Sequence, residues 1–369
     1  MKTYWCFLIF VFTYDGFMQG ISSSSSDNSS KLVAVVVISR HGDRSPFRSF
    51  PNDKFFNESY WPNGLGGQMT EYGIKRLYKL GQWLRERYNH FLSDIYSRKE
   101  IYAYAPDFDR CLMSITASLA GMYPPKGHQI WNDHLSWQPV PVHTTTVDTD
   151  QIFTNNRYCP KYHQLYLQAK ETETSFLKNK YSSFFEFILK KTGWTNADIS
   201  DISMVRSVFY CYLNYNTSYL PDWYKEVDLE LLEHLAGIKY AIPTTTLELT
   251  RLQVGPFYDF IFNHFNKFVK PTFEIRPAKF LMMSAQDTSM VPILDSIGCY
   301  KNTPVGFGDT VIWELSQQND RYYLNLFYKW EDKLEQMDCC LNCDYEQFQK
   351  NLTYITVDVH QWKKECNSV

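Results

Sequence analysis

Arg40, His41, Asp43 and Arg44 stand directly behind the apolar run Leu32 to Ser39, and Gln286 and Asp287 stand in the same way behind Lys279 to Ala285. Cations gathered at the end of a buried run repel one another unless an anion binds between them. The fitting anion is phosphate, because each planar guanidinium fork can bind two of its oxygens. Arg110, just behind the run Ile101 to Ala105, supplies a third fork. With phosphate held this way, a neutral His41 can attack phosphorus through one ring nitrogen while a backbone acceptor holds the other. The surrounding arginines lower the His41 pKa and keep the ring nucleophilic in mild acid. They also stabilise charge on the equatorial oxygens of the transition state. Asp287, when protonated, is the donor for the leaving alkoxide, and an acid optimum follows.

For these residues to meet, the apolar runs must be strands of one sheet, since ligands in open α/β sheets sit beyond the carboxyl ends of the strands. Leu32 to Ser39 reads as a central parallel strand covered on both faces. Thr70 can cap a helix whose stripe is Leu77, Leu80, Leu84, Tyr88 and Leu92. Ile101 to Ala105 is a second strand, followed by a helix from Asp109 that stops at Gly121. Lys279 to Ala285 is another strand, followed by a helix from Ser289 to Ile297 with Pro292 in its first turn and Gly298 as its stop. This alternation predicts an α/β sandwich in two parts, residues 32–145 and 241–369. Helical patterns such as Ser182 to Lys191 and Val227 to Ala236 predict a mainly helical cap inserted over 146–240. The loop Ser49 to Gly67, rich in aromatics and Asn, is expected at the pocket mouth.

With 369 residues the chain can bury a large core, and 37 basic against 40 acidic residues leave no electrostatic footprint for nucleic acid or anionic lipid. Residues 1–21 have the layout of a signal peptide and 22–31 form a serine-rich lead-in. No other stretch approaches membrane-spanning length, so the expectation is an exported, soluble, extracellular protein. Of nine cysteines, Cys6 lies in the leader, and an even number in the rest of an exported chain favours disulfides. Cys339, Cys340 and Cys343 lack a nearby fourth ligand, so no metal is expected. Glycosylation triplets begin at Asn28, Asn57, Asn216 and Asn351.

The motifs together resemble a known family, the histidine acid phosphatases, and in particular their prostatic and lysosomal type. The signature is RHGDRSP, Arg40 to Pro46, and Asp107 to Pro125 is similar to the segment that carries a further phosphate-binding arginine. Trp137 to Thr144, Cys159 to Tyr162, Leu220 to Trp223 and Leu249 to Pro256 resemble landmarks between the catalytic segments, so the likeness covers nearly the whole mature chain in order. It implies a phosphoglycerate mutase-like α/β core with a helical cap, acting on small phosphomonoesters without metal or other cofactor. The implied roles are phosphohistidine at His41, phosphate binding by Arg40, Arg44 and Arg110, and proton donation by Asp287. Members of this type are often homodimers.

Two departures stand out. The family's second motif is His-Asp, and here it is Gln286-Asp287. Gln286 keeps an N–H donor for the phosphate but carries neither charge nor a labile proton. Losing a charged hydrogen bond at the transition state costs on the order of a hundredfold in rate, which predicts a slowed or specialised phosphatase. The competing reading is a weak or silent relative that binds phosphorylated ligands or a partner protein in the same pocket. A phytase-like reading is disfavoured, since no lysine cluster lines the motif loops. The second departure is in the cysteines. The family pattern implies Cys159 with Cys366, and Cys343 with Cys339 or Cys340; the usual partner of Cys211 is missing, which leaves Cys299 as its candidate, and Cys111 is expected as a buried thiol.

Overall fold

The computed structural model describes residues 30–271 and 277–368. The leader, Asn28 and all but the end of the serine-rich segment lie outside the described residues. β1 (Lys31–Arg40) leads to α1 (Glu71–Arg87), where the Thr70 hydroxyl accepts from the Gly73 N–H and Leu77, Leu80 and Leu84 are buried. β2 (Ile101–Tyr104) and α2 (Asp109–Met122) follow. Gly121 does not stop α2 as expected. It lies inside the helix because a Cβ there would come within 2.1 Å of the Tyr78 carbonyl oxygen, so glycine is what lets α1 and α2 cross closely.

Four helices then run consecutively: α3 (Pro160–Lys180), α4 (Ser182–Thr192), α5 (Ile199–Tyr215) and α6 (Leu229–Ala241). They enclose an apolar cluster of their own, including Ile188, Ile202, Val205, Phe209 and Leu235, joined by Phe50, Trp61 and Phe307 from outside. The long α7 (Leu247–Val269) has no clean stripe in the sequence; it holds Pro256 in its interior and buries Phe257, Tyr258, Ile261, Phe262 and Phe265.

β3 (Phe280–Ala285) and α8 (Asp287–Ser296) come next. α8 starts two residues earlier than expected because Gln286 is extended (φ −119°, ψ 161°) and occupies the N-cap. Pro292 therefore falls in the second turn instead of the first, while Gly298 ends the segment with φ 71°. The chain closes with β4 (Thr310–Gln318), β5 (Arg321–Trp330), β6 (Lys333–Gln336), β7 (Cys343–Asp344), α9 (Tyr345–Asn351) and α10 (Val359–Asn367).

The sheet order is β2-β3-β1-β4-β5-β6, with β7 beside β5. β2, β3 and β1 are parallel, and β4, β5 and β6 add an antiparallel wing. Alternate β1 residues face opposite layers: Val35 and Val37 pack with Leu77, Leu80 and Ile115 of α1 and α2, while Ala34, Val36 and Ile38 pack with α7 and α8. This is the α/β sandwich the sequence predicts.

The cysteines pair as Cys159–Cys366, Cys299–Cys339 and Cys340–Cys343. The expected Cys211–Cys299 pair does not form: Cys211 is buried in the helical cluster on α5, and Cys299 packs behind α8 against the main core. Cys111 is a buried free thiol.

Candidate active site

Parallel pairing of β1 with β3 sets Arg40 opposite Ala285, so the residues that follow each strand leave the sheet at the same level. The His41 N–H donates to the Ala285 carbonyl at 3.0 Å, and the Arg40 N–H donates to the Asp309 carbonyl at 2.8 Å. The Gly42 N–H donates to Ser114 Oγ at 3.0 Å, tying the loop to α2. Asp43 is buried and takes both arms of Arg76, at 2.6 and 3.0 Å, while Arg76 also donates to Asn214 of α5 at 3.2 Å. The first acid of the motif therefore holds the loop in place. A Cβ at Gly73 would come within 2.4 Å of the Asp43 carbonyl oxygen, so α1 can start against this loop only with glycine there.

Arg40, His41, Arg44, Arg110, Gln286 and Asp287 all come together at this rim. His41 is 2 % exposed and its Nδ1 lies 2.9 Å from the Gly42 carbonyl. A carbonyl can only accept, so Nδ1 carries the proton and Nε2 keeps its lone pair. Burial, and then the charges of Arg40, Arg110 and Arg44, hold the His41 pKa well below the ordinary imidazole value. Arg40 donates from Nη1 to the Val305 carbonyl and from Nη2 to Asp287 Oδ2, both at 2.6 Å, and stacks 4.6 Å from the Phe307 ring centroid. Arg44 reaches into α5, donating to Ser207 Oγ at 3.3 Å with Cys211 Sγ at 3.6 Å. Arg110 donates from Nη2 to Gln286 Oε1 at 2.7 Å, not to Asp107 or Asp109. The Nε atoms of Arg40 and Arg110 are buried without an acceptor.

With its oxygen taken by Arg110, Gln286 is left with its amide N–H groups as donors. Asp287 opens α8: its Oδ2 accepts from Arg40 and, at 3.1 Å, from the Tyr240 hydroxyl, while its Oδ1 accepts from the Thr288 N–H at 2.8 Å. Burial opposes ionisation, but Arg40 foremost, then Lys239, His41 and Arg44, hold the carboxyl well below the usual carboxylate range. A protonated Asp287 is thus not the state of the pocket as it stands. Counting three guanidiniums, one carboxylate and a neutral imidazole, the rim carries two net positive charges. That matches a phosphate dianion.

Sequence reasoning missed Arg76, Tyr240, Phe307 and the α5 contacts, all of which depend on which loops fold over the strand ends. The end of the loop Ser49 to Gly67 approaches the rim: a Cβ at Gly67 would lie 3.5 Å from the Arg44 side chain and 3.6 Å from that of Arg110. Phe50 and Trp61 sit in the helical cluster instead.

Known proteins resemble this chain over nearly its full length. It is 33% identical over 349 residues to prostatic acid phosphatase of Bos taurus, covering 91% of this chain and 88% of that protein. It is 32% identical over 346 residues to lysosomal acid phosphatase of Homo sapiens, covering 91% and 80%. In fold it is similar to the phytase of Citrobacter braakii, with a TM-score of 0.65 at 17% identity over 92% of this chain and 100% of that one. Residues 31–319 match the model of the histidine phosphatase superfamily, branch 2. The chain belongs to that superfamily and to that branch of it.

Proposed function

We propose that this protein is an exported acid phosphatase that hydrolyses small phosphate monoesters through a phosphohistidine on His41, at a rate lowered by Gln286. The observation that carries this reading is the buried, neutral His41 ringed by Arg40, Arg44 and Arg110 with a net charge that suits a phosphate dianion. His41 Nε2 attacks phosphorus, the P–O ester bond breaks, and the leaving oxygen takes a proton from Asp287. Water then attacks the phosphohistidine, its proton returns to the Asp287 carboxylate, and phosphate leaves with His41 neutral again.

Ionised Asp287 in the resting pocket gives the acid dependence a physical origin. A phosphate dianion draws on the guanidinium fork that Asp287 now shares and brings negative charge beside the carboxyl. Both effects raise its pKa, so binding and proton uptake go together. Gln286 keeps a donor for the phosphate but adds no charge, which slows the reaction without abolishing it. Export is supported by the three disulfide-compatible pairs and by exposed Asn57, Asn216 and Asn351 in acceptor triplets. Among the described residues, no helix is long and apolar enough to cross a membrane.

The test is hydrolysis of p-nitrophenyl phosphate from about pH 3 to about pH 8, with no metal added, by wild type and His41→Ala. Turnover highest in acid and absent from His41→Ala is the expected result. A wild type no faster than His41→Ala makes the site a binder of phosphorylated ligands, not an enzyme.

A further inference from the structure

Beside the phosphate rim lies a cavity of about 270 Å³, walled by Phe153, Arg157 and residues of α3 on one side, Lys239 and Tyr240 of α6 on another, and Gln286 and Thr288 on the third. Tyr240 and Thr288 both hydrogen-bond Asp287, so this cavity borders the proposed donor of the leaving-group proton. A leaving group protonated by Asp287 can extend into it past Tyr240.

The cavity's charge is one-sided. The cations Arg157 and Lys239 line it and no acidic side chain does. Among the described residues no carboxylate forms an ion pair with Arg157 or Lys239. The Lys239 Nζ rests 4.0 Å from the Tyr240 ring centroid, and burial lowers its pKa against the pull of Asp287. The Arg157 and Arg110 guanidiniums lie 5.1 and 4.8 Å from the same Phe108 ring centroid, which brings Arg157 close to a phosphate-binding arginine. The rim alone already matches a phosphoryl dianion, so these charges exceed what the phosphoryl group requires.

We infer that this cavity is a leaving-group subsite for a second anion, so that preferred substrates are small phosphomonoesters whose alcohol part carries a carboxylate or a second phosphate, held by Lys239 and Arg157. The volume suits a leaving group of a few carbons up to a monosaccharide, not a macromolecule. This assignment rests on the phosphatase reading above and deepens it. Lys239 and Arg157 are specificity residues that touch the leaving group, not the phosphorus.

The experiment compares kcat/KM at acid pH within matched pairs: glycerol 3-phosphate against 3-phosphoglycerate for the carboxylate, and fructose 6-phosphate against fructose 1,6-bisphosphate for the phosphate. Wild type should favour the more anionic member of at least one pair by about tenfold, the value of one good charge contact. Lys239→Met and Arg157→Gln should each bring that ratio down toward unity, and Lys239→Arg should keep it. Because the readout is a ratio within each variant, a uniform loss of active protein does not change it. If wild type hydrolyses p-nitrophenyl phosphate through His41 but prefers neither anionic substrate, or if its preference survives both charge-removing variants, the subsite is refuted while the phosphatase reading stands. Absence of any His41-dependent hydrolysis removes both.

Discussion

Arg40 and Asp287 form a buried ion pair, Nη2 to Oδ2 at 2.6 Å, in which the proposed phosphate-binding fork and the proposed proton donor neutralise one another. Arg40 is 1 % exposed and Asp287 8 %. Among the described residues neither charge has a second ion-pair partner, so removing one strands the other in a desolvated site. Asp287→Ala should therefore lower unfolding free energy by about 3 kcal/mol or more, read from urea denaturation, and lower kcat by roughly a hundredfold to ten-thousandfold. Loss of activity with unchanged stability would mean that the pair does not hold the resting pocket together.

Arg44 tests the electrostatics of His41. It is one of three cations that disfavour the protonated ring. Arg44→Gln removes that repulsion, so the folded pKa of His41 rises toward its ordinary value and the ring protonates at higher pH. The acid limb of the kcat/KM profile, where protonation of His41 shuts off attack, should move to higher pH, with kcat/KM at the optimum down by roughly a hundredfold. An acid limb that stays in place or moves lower contradicts the assignment of that limb to His41.

Tyr240 acts on the other limb. Its hydroxyl donates to Asp287 Oδ2 and favours the ionised carboxylate. Tyr240→Phe should raise the Asp287 pKa, so the proton donor stays loaded to higher pH and the alkaline limb moves up by about one pH unit, the value of one hydrogen bond to a charged group. Titration of kcat against pH reads this directly, and a downward shift would oppose the assigned role of Asp287.

Gln286 sits where the family pattern implied by the sequence has histidine. Its Oε1 accepts from Arg110 at 2.7 Å. A histidine protonated in acid adds charge to the rim, and Gln286→His should raise kcat on p-nitrophenyl phosphate by on the order of a hundredfold. Unchanged or reduced turnover would mean that the Arg110–Gln286 hydrogen bond is the better arrangement in this pocket.

The placement of the candidate site residues was legible in the sequence because they lie at strand ends. Arg40 and His41 follow an uninterrupted apolar run, as do Gln286 and Asp287, and the rule for open sheets brings them together. The antiparallel wing and α7 were not legible. Pro256 and an aromatic-rich surface hide the helical period of α7, which is buried around much of its circumference. The start of α8 was misjudged by two residues because Gln286 caps by backbone conformation alone, with no side-chain cap. Arg157 and Lys239 are 82 positions apart in the chain, so no local pattern could announce that they share one cavity. The Cys211 pairing failed because a missing partner says nothing about where the orphan thiol sits, and it sits beneath Arg44.

The most direct test of the central claim is to catch phosphate on His41. Wild type mixed with p-nitrophenyl phosphate, quenched in alkali during turnover and digested, should yield the peptide containing His41 with a phosphate on its imidazole. His41→Ala should yield no phosphopeptide and no turnover. Steady hydrolysis by wild type with no phosphate on His41, or with phosphate on another residue, would contradict the mechanism.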